Sequence, residues 1–302
     1  MLKQQGKAIL QEINEDFFIE KEVRLFLKRE DLLHDKVSGN KWRKLKYNLE
    51  AAKKEGHKTL LTFGGAYSNH IYATAAAAKE MGFSSIGIIR GERITPLNPT
   101  LSFAEEMGMK FHFVSRTMYR EKSEPFFIDN LHNEFGNFYL IPEGGTNNLA
   151  IKGCTEIADE IDVPFDYLCT SVGTGGTISG VIASLPSTKV IGFSALKGDF
   201  LNNEVKTFLK NYGCNHSENW NINTQYHFGG YAKVQPSLID FINAFKLQQG
   251  IQLDPIYTGK MMYGIYDLIK QGYFKKGTTI VALHTGGLQG IEGIKERYGI
   301  AF

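Results

Sequence analysis

From about residue 42 to residue 283 the apolar positions switch repeatedly between helical spacing and short continuous runs, with Gly, Pro or Asn at the joints. Trp42, Leu45, Leu49 and Ala52 recur at helical intervals and stop at Gly56, which predicts a helix beginning at Lys41. The apolar run over 59–63 predicts a buried strand, and the alanine-rich stretch over 69–81 predicts a helix ended by Gly82. Two similar units follow, with strands near 85–89 and 110–114 and helices near 100–107 and 124–134. A strand over 138–141 runs into Pro142-Glu143-Gly144-Gly145-Thr146, and a helix over 150–161 leads to a second sheet. That sheet takes strands over 167–171, 190–194 and 279–283, and residues before about 45 rejoin it. Its helices fall near 176–185, 201–212, 236–249 and 260–271. The alternation predicts an α/β fold of two open twisted sheets with a cleft between them. The expected division is a larger domain of residues 1–44 and 149–302 and a smaller one of 45–148. Residues 213–230, rich in Asn and poor in aliphatic side chains, read as a long loop.

Composition narrows the ligands. A net charge of +2, from 34 basic and 32 acidic residues among 302, offers no basic surplus for nucleic acid or an anionic membrane. Small molecules are therefore the expected partners. Cys154, Cys169 and Cys214 lack Cys-x-x-Cys spacing, so no metal site is expected and a reducing compartment fits. Residues 1–18 carry Glu12, Glu15 and Asp16 without an apolar core, and no stretch approaches the roughly 18 apolar residues of a membrane span. The expectation is a cytoplasmic protein.

Three segments carry candidate chemistry. Val172-Gly173-Thr174-Gly175-Gly176-Thr177 follows an apolar strand and opens a helix, so its N–H groups and the helix dipole suit a phosphate. A nicotinamide site fits less well, because Ile178 stands where Gly-x-Gly-x-x-Gly needs its third glycine. Ser68-Asn69-His70, after Gly64-Gly65, opens another helix. It offers donors to a carboxylate, although Ser68 or Asn69 can equally be a simple cap, and His70 can be purely structural. Lys41 lies among Lys44, Lys46, Lys53 and Lys54, which alone would read as a solvated face. With two anion loops available it becomes a candidate imine-forming lysine, and pyridoxal phosphate supplies both the aldehyde and the phosphate.

Seven blocks in order resemble one family. They are Lys28-Arg29-Glu30-Asp31-Leu32, Gly39-Asn40-Lys41-Trp42-Arg43-Lys44-Leu45, Ser68-Asn69-His70, Pro142-Glu143-Gly144-Gly145, Gly173-Thr174-Gly175-Gly176-Thr177, Asp254-Pro255-Ile256-Tyr257-Thr258-Gly259-Lys260, and His284-Thr285-Gly286-Gly287. Over nearly its whole length the chain resembles the 1-aminocyclopropane-1-carboxylate deaminase and D-cysteine desulfhydrase group of pyridoxal-phosphate enzymes, of fold type II (tryptophan-synthase-β-like). The resemblance implies that Lys41 carries the cofactor and is the base at Cα. It implies that Lys44 and the loop Gly173, Thr174, Gly175, Gly176, Thr177 hold the phosphate, and that Asn69 meets the 3′ oxygen. Ser68, with Asn69, His70 and Tyr67 around it, would face the substrate, Ser68 binding its carboxylate or acting opposite Lys41. Tyr257 and Tyr231 would flank cofactor and substrate. Thr258 and Thr285 match the desulfhydrase pattern, where the deaminase pattern has glutamate and leucine. A hydroxyl near the pyridine nitrogen makes a weaker electron sink than a carboxylate, sufficient for expelling sulfide. The implied reaction is α,β-elimination of D-cysteine, with the cyclopropane deaminase reaction as the alternative and a homodimer as the usual assembly. Tyr67 replaces the family's usual glutamine and is expected to reshape the substrate side.

Overall fold

The computed structural model describes residues 2–214, 218–300 and Phe302. One sheet has six strands in the order β1 (Leu10–Ile13), β2 (Arg24–Lys28), β10 (Thr279–Leu283), β7 (Tyr167–Val172), β8 (Lys189–Ser194), β9 (Trp220–Asn223). Only β1 runs antiparallel to its neighbour. The other sheet has four parallel strands in the order β5 (Met109–Val114), β4 (Ser84–Arg90), β3 (Thr59–Gly65), β6 (Tyr139–Ile141). The helices are α1 (Asp16–Glu20), α2 (Asn40–Lys54), α3 (Asn69–Met81), α4 (Pro99–Glu106), α5 (Arg116–Arg120), α6 (Pro125–Phe135), α7 (Asn148–Asp159), α8 (Gly176–Ser184), α9 (Leu201–Tyr212), α10 (Pro236–Gln249), α11 (Thr258–Lys270) and α12 (Gly290–Tyr298).

The parallel strands are buried on both faces, which is why they read as continuous apolar runs. The larger core joins Leu25, Leu27, Ile280, Ala282, Cys169, Ile191 and Phe193 of the six-stranded sheet to Met261, Ile265 and Ile269 of α11. Helix α3 starts at Ser68, whose Oγ accepts from the N–H groups of His70 and Ile71, and stops where Gly82 turns left-handed at φ 74°.

One expectation is corrected here. The stretch 213–230 is not all loop: β9 pairs in parallel with β8 at the sheet edge, with Ile222 buried. The four-residue strand alternates polar and apolar side chains because it is half covered, so its apolar content stays low. Residues 215–217 of that stretch lie outside the described residues.

Strand order locates the crevice. In an open parallel sheet, ligands lie beyond the C-terminal strand ends where the winding reverses. In the larger sheet that point falls around β10 and β7, whose ends lead into His284–Gly287 and Gly173–Thr177. In the smaller sheet it falls between β3 and β6, whose ends lead into Ala66–Asn69 and Pro142–Thr146. All four sequence-singled loops are switch-point loops.

Candidate active site

Helix α2 presents Lys41 and Lys44 one turn apart, and its first turn is held from below by charge. Arg43, 1% exposed, donates to Glu30 at 2.8 and 3.1 Å and to Glu160 at 2.6 Å through each of two nitrogens. Lys28 joins the cluster at 3.2 Å from Glu160. Burial raises the Glu30 carboxyl against the pull of Arg43, and the hydrogen bonds and charges of Glu160 and Glu30 outweigh burial to raise Arg43. The fork of Arg43 thus ties the strand β2 side and the end of α7 to the turn that carries both lysines.

Lys41 is partly buried and its Nζ donates to Asn40 Oδ1 at 3.1 Å. Burial lowers its amine to about 8, so a neutral nucleophile is accessible near neutral pH. Lys44 is 1% exposed, and burial, then the charge of Lys41, lower it to about 7. Its Nζ donates to Thr146 Oγ1 at 2.9 Å and to Thr174 Oγ1 at 3.4 Å, and those two hydroxyls lie 2.7 Å apart. Asn40 Nδ2 donates to Thr177 Oγ1 at 2.9 Å. At Gly176, the first residue of α8, a Cβ would stand 3.0 Å from Lys44 Nζ and 2.9 Å from Thr146 Oγ1. Only a bare backbone lets that helix N-terminus meet the ammonium and the hydroxyls at one point. Every group there is a donor or a hydroxyl, and Lys44 has no carboxylate within ion-pair distance among the described residues. A buried cation beside a helix N-terminus and three threonine hydroxyls is a receptor for a multiply charged anion.

A second cavity wall is formed by Ser38, Asn40, Lys41, Asn69, Tyr72, Thr285, Gly287 and Gln289. Thr285 Oγ1 lies 3.3 Å from Ser171 Oγ, the two at the ends of adjacent β10 and β7. Tyr257 packs on Gly173 and meets Tyr231 edge to face, with ring centroids 6.2 Å apart. Burial raises the Tyr257 phenol well above its ordinary value, and the charge of Tyr231 and a hydrogen bond to it add to that.

A profile described as pyridoxal-phosphate dependent enzyme matches residues 10–286. The chain belongs to this family. A Pyrococcus abyssi protein named "Putative 1-aminocyclopropane-1-carboxylate deaminase" is 30% identical over 288 residues, covering 89% of this chain and 86% of its own length. The Arabidopsis thaliana protein named "Bifunctional D-cysteine desulfhydrase/1-aminocyclopropane-1-carboxylate deaminase, mitochondrial" is 31% identical over 297 residues, covering 89% and 73%. A crystal structure described as an ACC deaminase homologue superposes with a TM-score of 0.86 at 27% identity, covering 98% of this chain and 94% of that one. The protein is thus a pyridoxal-phosphate-dependent enzyme of fold type II. Its donor set fits the cofactor: the Lys44, Thr146, Thr174, Thr177 and α8 cluster suits the phosphate, and the half-buried amine of Lys41 suits the aldehyde.

Three site expectations are revised by the geometry of this pyridoxal-phosphate enzyme. The Thr258 hydroxyl is engaged away from any ring: it donates to Asp254 Oδ1 at 2.7 Å and accepts from Asp254 N at 2.9 Å. Asp254 also accepts from the backbone N–H groups of Ile256, Tyr257 and Thr258, so it caps α11 and Thr258 belongs to that cap. Thr285 stays open to the cavity. The Tyr67 ring lies on Gly293 of α12, so it packs on that helix. His70 is 2% exposed, with Nε2 2.7 Å from Thr62 Oγ1 and Nδ1 3.5 Å from Thr74 Oγ1. Burial, then Lys41 and Lys44, keep it neutral, and through Thr62 it ties α3 to β3. Ser68 Oγ serves as the α3 cap. The sequence had not singled out Asn40, Tyr72, Thr146, Ser171 or Gln289 as lining or supporting groups; of these Asn40, inside the Gly39–Leu45 block, and Thr146, beside the Pro142–Gly145 block, carried a signal.

Proposed function

We propose that the protein catalyses α,β-elimination on a small D-amino acid, foremost D-cysteine, which with water gives pyruvate, ammonia and hydrogen sulfide. The observation that carries this reading is at the ends of β10 and β7. Thr285 and Ser171 put two hydroxyls there, and the only nearby carboxylate of the α11 start, Asp254, is consumed by four donors. A neutral partner for the ring nitrogen suits a good leaving group such as sulfide. Pyridoxal phosphate supplies the electron sink for charge that develops at Cα. The Lys41 amine, lowered to about 8, would take the Cα proton as the Cβ–S bond breaks, the sulfur leaving as sulfide and the proton passing to it. Lys44, Thr146, Thr174 and Thr177 would hold the phosphate, Asn69 would meet the ring oxygen, and Ser68 with the Asn69 N–H would receive the substrate carboxylate. Tyr257 and Tyr231 close the opposite side.

The two sheets support the division into residues 1–44 with 149–302 and residues 45–148, with the seam inside α2 just past Lys44. We further infer a homodimer, and separately a reducing, cytoplasmic compartment, with which the free and buried Cys154, Cys169 and Cys214 are consistent. No helix among the described residues is long and apolar enough to cross a membrane.

The relatives' names favour a second reading, deamination of 1-aminocyclopropane-1-carboxylate to 2-oxobutanoate and ammonia. Product release from D-cysteine, L-cysteine and the cyclopropane substrate, measured on one preparation, separates them. Sulfide and pyruvate from D-cysteine alone supports the desulfhydrase reading. Release of 2-oxobutanoate without sulfide replaces it by the deaminase.

A further inference from the structure

The amide of Asn69 is clasped from across the cleft by the segment that follows β10. Gln289 Nε2 donates to Asn69 Oδ1 in a short hydrogen bond between two polar side chains far apart in sequence. Gly287, at φ +87°, lies directly over Asn69 Nδ2, where any Cβ would collide with that nitrogen. Gly290, the first residue of α12, leaves 3.5 Å between its Cβ position and Asn69 Oδ1. All of Asn69, Gly287 and Gln289 line the cavity that holds Lys41 and Thr285.

A carboxamide is nearly symmetric in shape but opposite in polarity at its two ends. With its oxygen taken by Gln289, Asn69 has its NH2 left to donate. An anionic oxygen on the cofactor ring needs a donor; a carbonyl oxygen turned toward it would repel it. We propose that Gln289 is a positioning residue that sets the direction of the Asn69 amide, so that Nδ2 faces the ring oxygen of the cofactor. The clasp joins the start of α3, on the smaller sheet, to the segment that leads from β10 of the larger sheet into α12, a helix that itself packs on α4. The inference rests on the role of Asn69 given under Proposed function.

The test compares Gln289→Glu with Gln289→Met in the cofactor-loaded protein. A carboxylate at 289 can only accept, so it draws Nδ2 toward itself and turns Asn69 Oδ1 into the site. Methionine keeps the length and removes the bond without reversing the amide. Two quantities are read: the cofactor dissociation constant, and the pH midpoint of the near-visible absorbance of the bound cofactor. A ring oxygen that loses its donor and meets an acceptor favours the protonated cofactor, so the midpoint of Gln289→Glu is expected to rise by about one pH unit. Its dissociation constant is expected to rise roughly tenfold, with Gln289→Met falling between it and the wild type. Unmoved midpoints in both variants, or equal shifts in both, overturn the inference, since a purely structural role predicts no dependence on donor or acceptor character. The underlying reading fails separately, if the wild type shows no near-visible band that depends on Lys41.

Discussion

Replacing Lys44 by methionine is expected to stabilise the cofactor-free protein and to ruin the cofactor-bound one. The side chain is 1% exposed, and its amine falls from the ordinary 10.5 to about 7, through burial first and then Lys41. A drop of that size, at ~1.4 kcal/mol for each tenfold change in proton affinity, sets an upper limit of roughly 5 kcal/mol on what holding the ammonium costs the empty fold. Relaxation and water entry reduce this to about 2–4 kcal/mol. The cost is fully present below about pH 7, where folded and unfolded chains both carry the proton. It fades as pH rises toward 10.5, because there the unfolded chain binds a proton that the folded chain lacks. Urea denaturation of the apoprotein at pH 7 and pH 10 should therefore show Lys44→Met more stable at the lower pH by about 2–4 kcal/mol, with the gap closing at the higher one. Cofactor affinity should move the other way, falling by roughly a hundredfold on loss of a charge-assisted phosphate contact. A variant that is less stable than wild type at both pH values, with no trend between them, would refute the claim that Lys44 waits uncompensated for an anion.

Other perturbations probe the supports of the site. Arg43→Met leaves Glu30 fully buried with only Lys28 near, 3.9 Å away, and should cost about 3–5 kcal/mol of stability by calorimetry, lowering cofactor affinity through disorder in the first turn of α2. Thr258→Val removes the hydroxyl's two bonds to Asp254 and should cost about 1–2 kcal/mol in thermal melts, with the absorbance of the bound cofactor unchanged. Thr285→Val should do the reverse, shifting that absorbance and slowing turnover with little effect on the melt, because Thr285 lines the cavity and its hydroxyl's only hydrogen-bond partner among the described residues is the neighbouring Ser171 hydroxyl at 3.3 Å.

Much of the architecture was legible because parallel strands buried on both faces leave continuous apolar runs. Helices α3, α9 and α10, and strand β10, fall on the residues the sequence marks out. Gly82, Gly213 and Gly250 stop their helices with left-handed turns, and Pro236 sits at a helix start, so these boundaries had a local cause. Strand β9 lay hidden because a short edge strand needs few aliphatic residues. The lysines and glycine loops were legible from spacing, and their convergence follows from the two winding reversals. What spacing cannot report is which way a side chain is already committed. Thr258 looks like a ring partner until Asp254 is seen to take its hydroxyl, and Tyr67 like a substrate contact until Gly293 is seen to receive its ring. Glu30 and Arg43 stood inside matching blocks, yet their pairing across 13 positions, and Glu160 as the third member, are facts of packing. Gln289 reaches Asn69 from 220 positions away and left no trace in the sequence.

Borohydride reduction of the cofactor-loaded protein followed by peptide mapping tests the central claim most directly. Lys41 and Lys44 are the two lowered amines of α2, at about 8 and about 7, and one turn of helix separates them. Their work differs under the proposed function, covalent attachment for Lys41 and phosphate binding for Lys44. The reduced cofactor is expected on Lys41 alone; label on Lys44 or on another lysine would contradict that assignment.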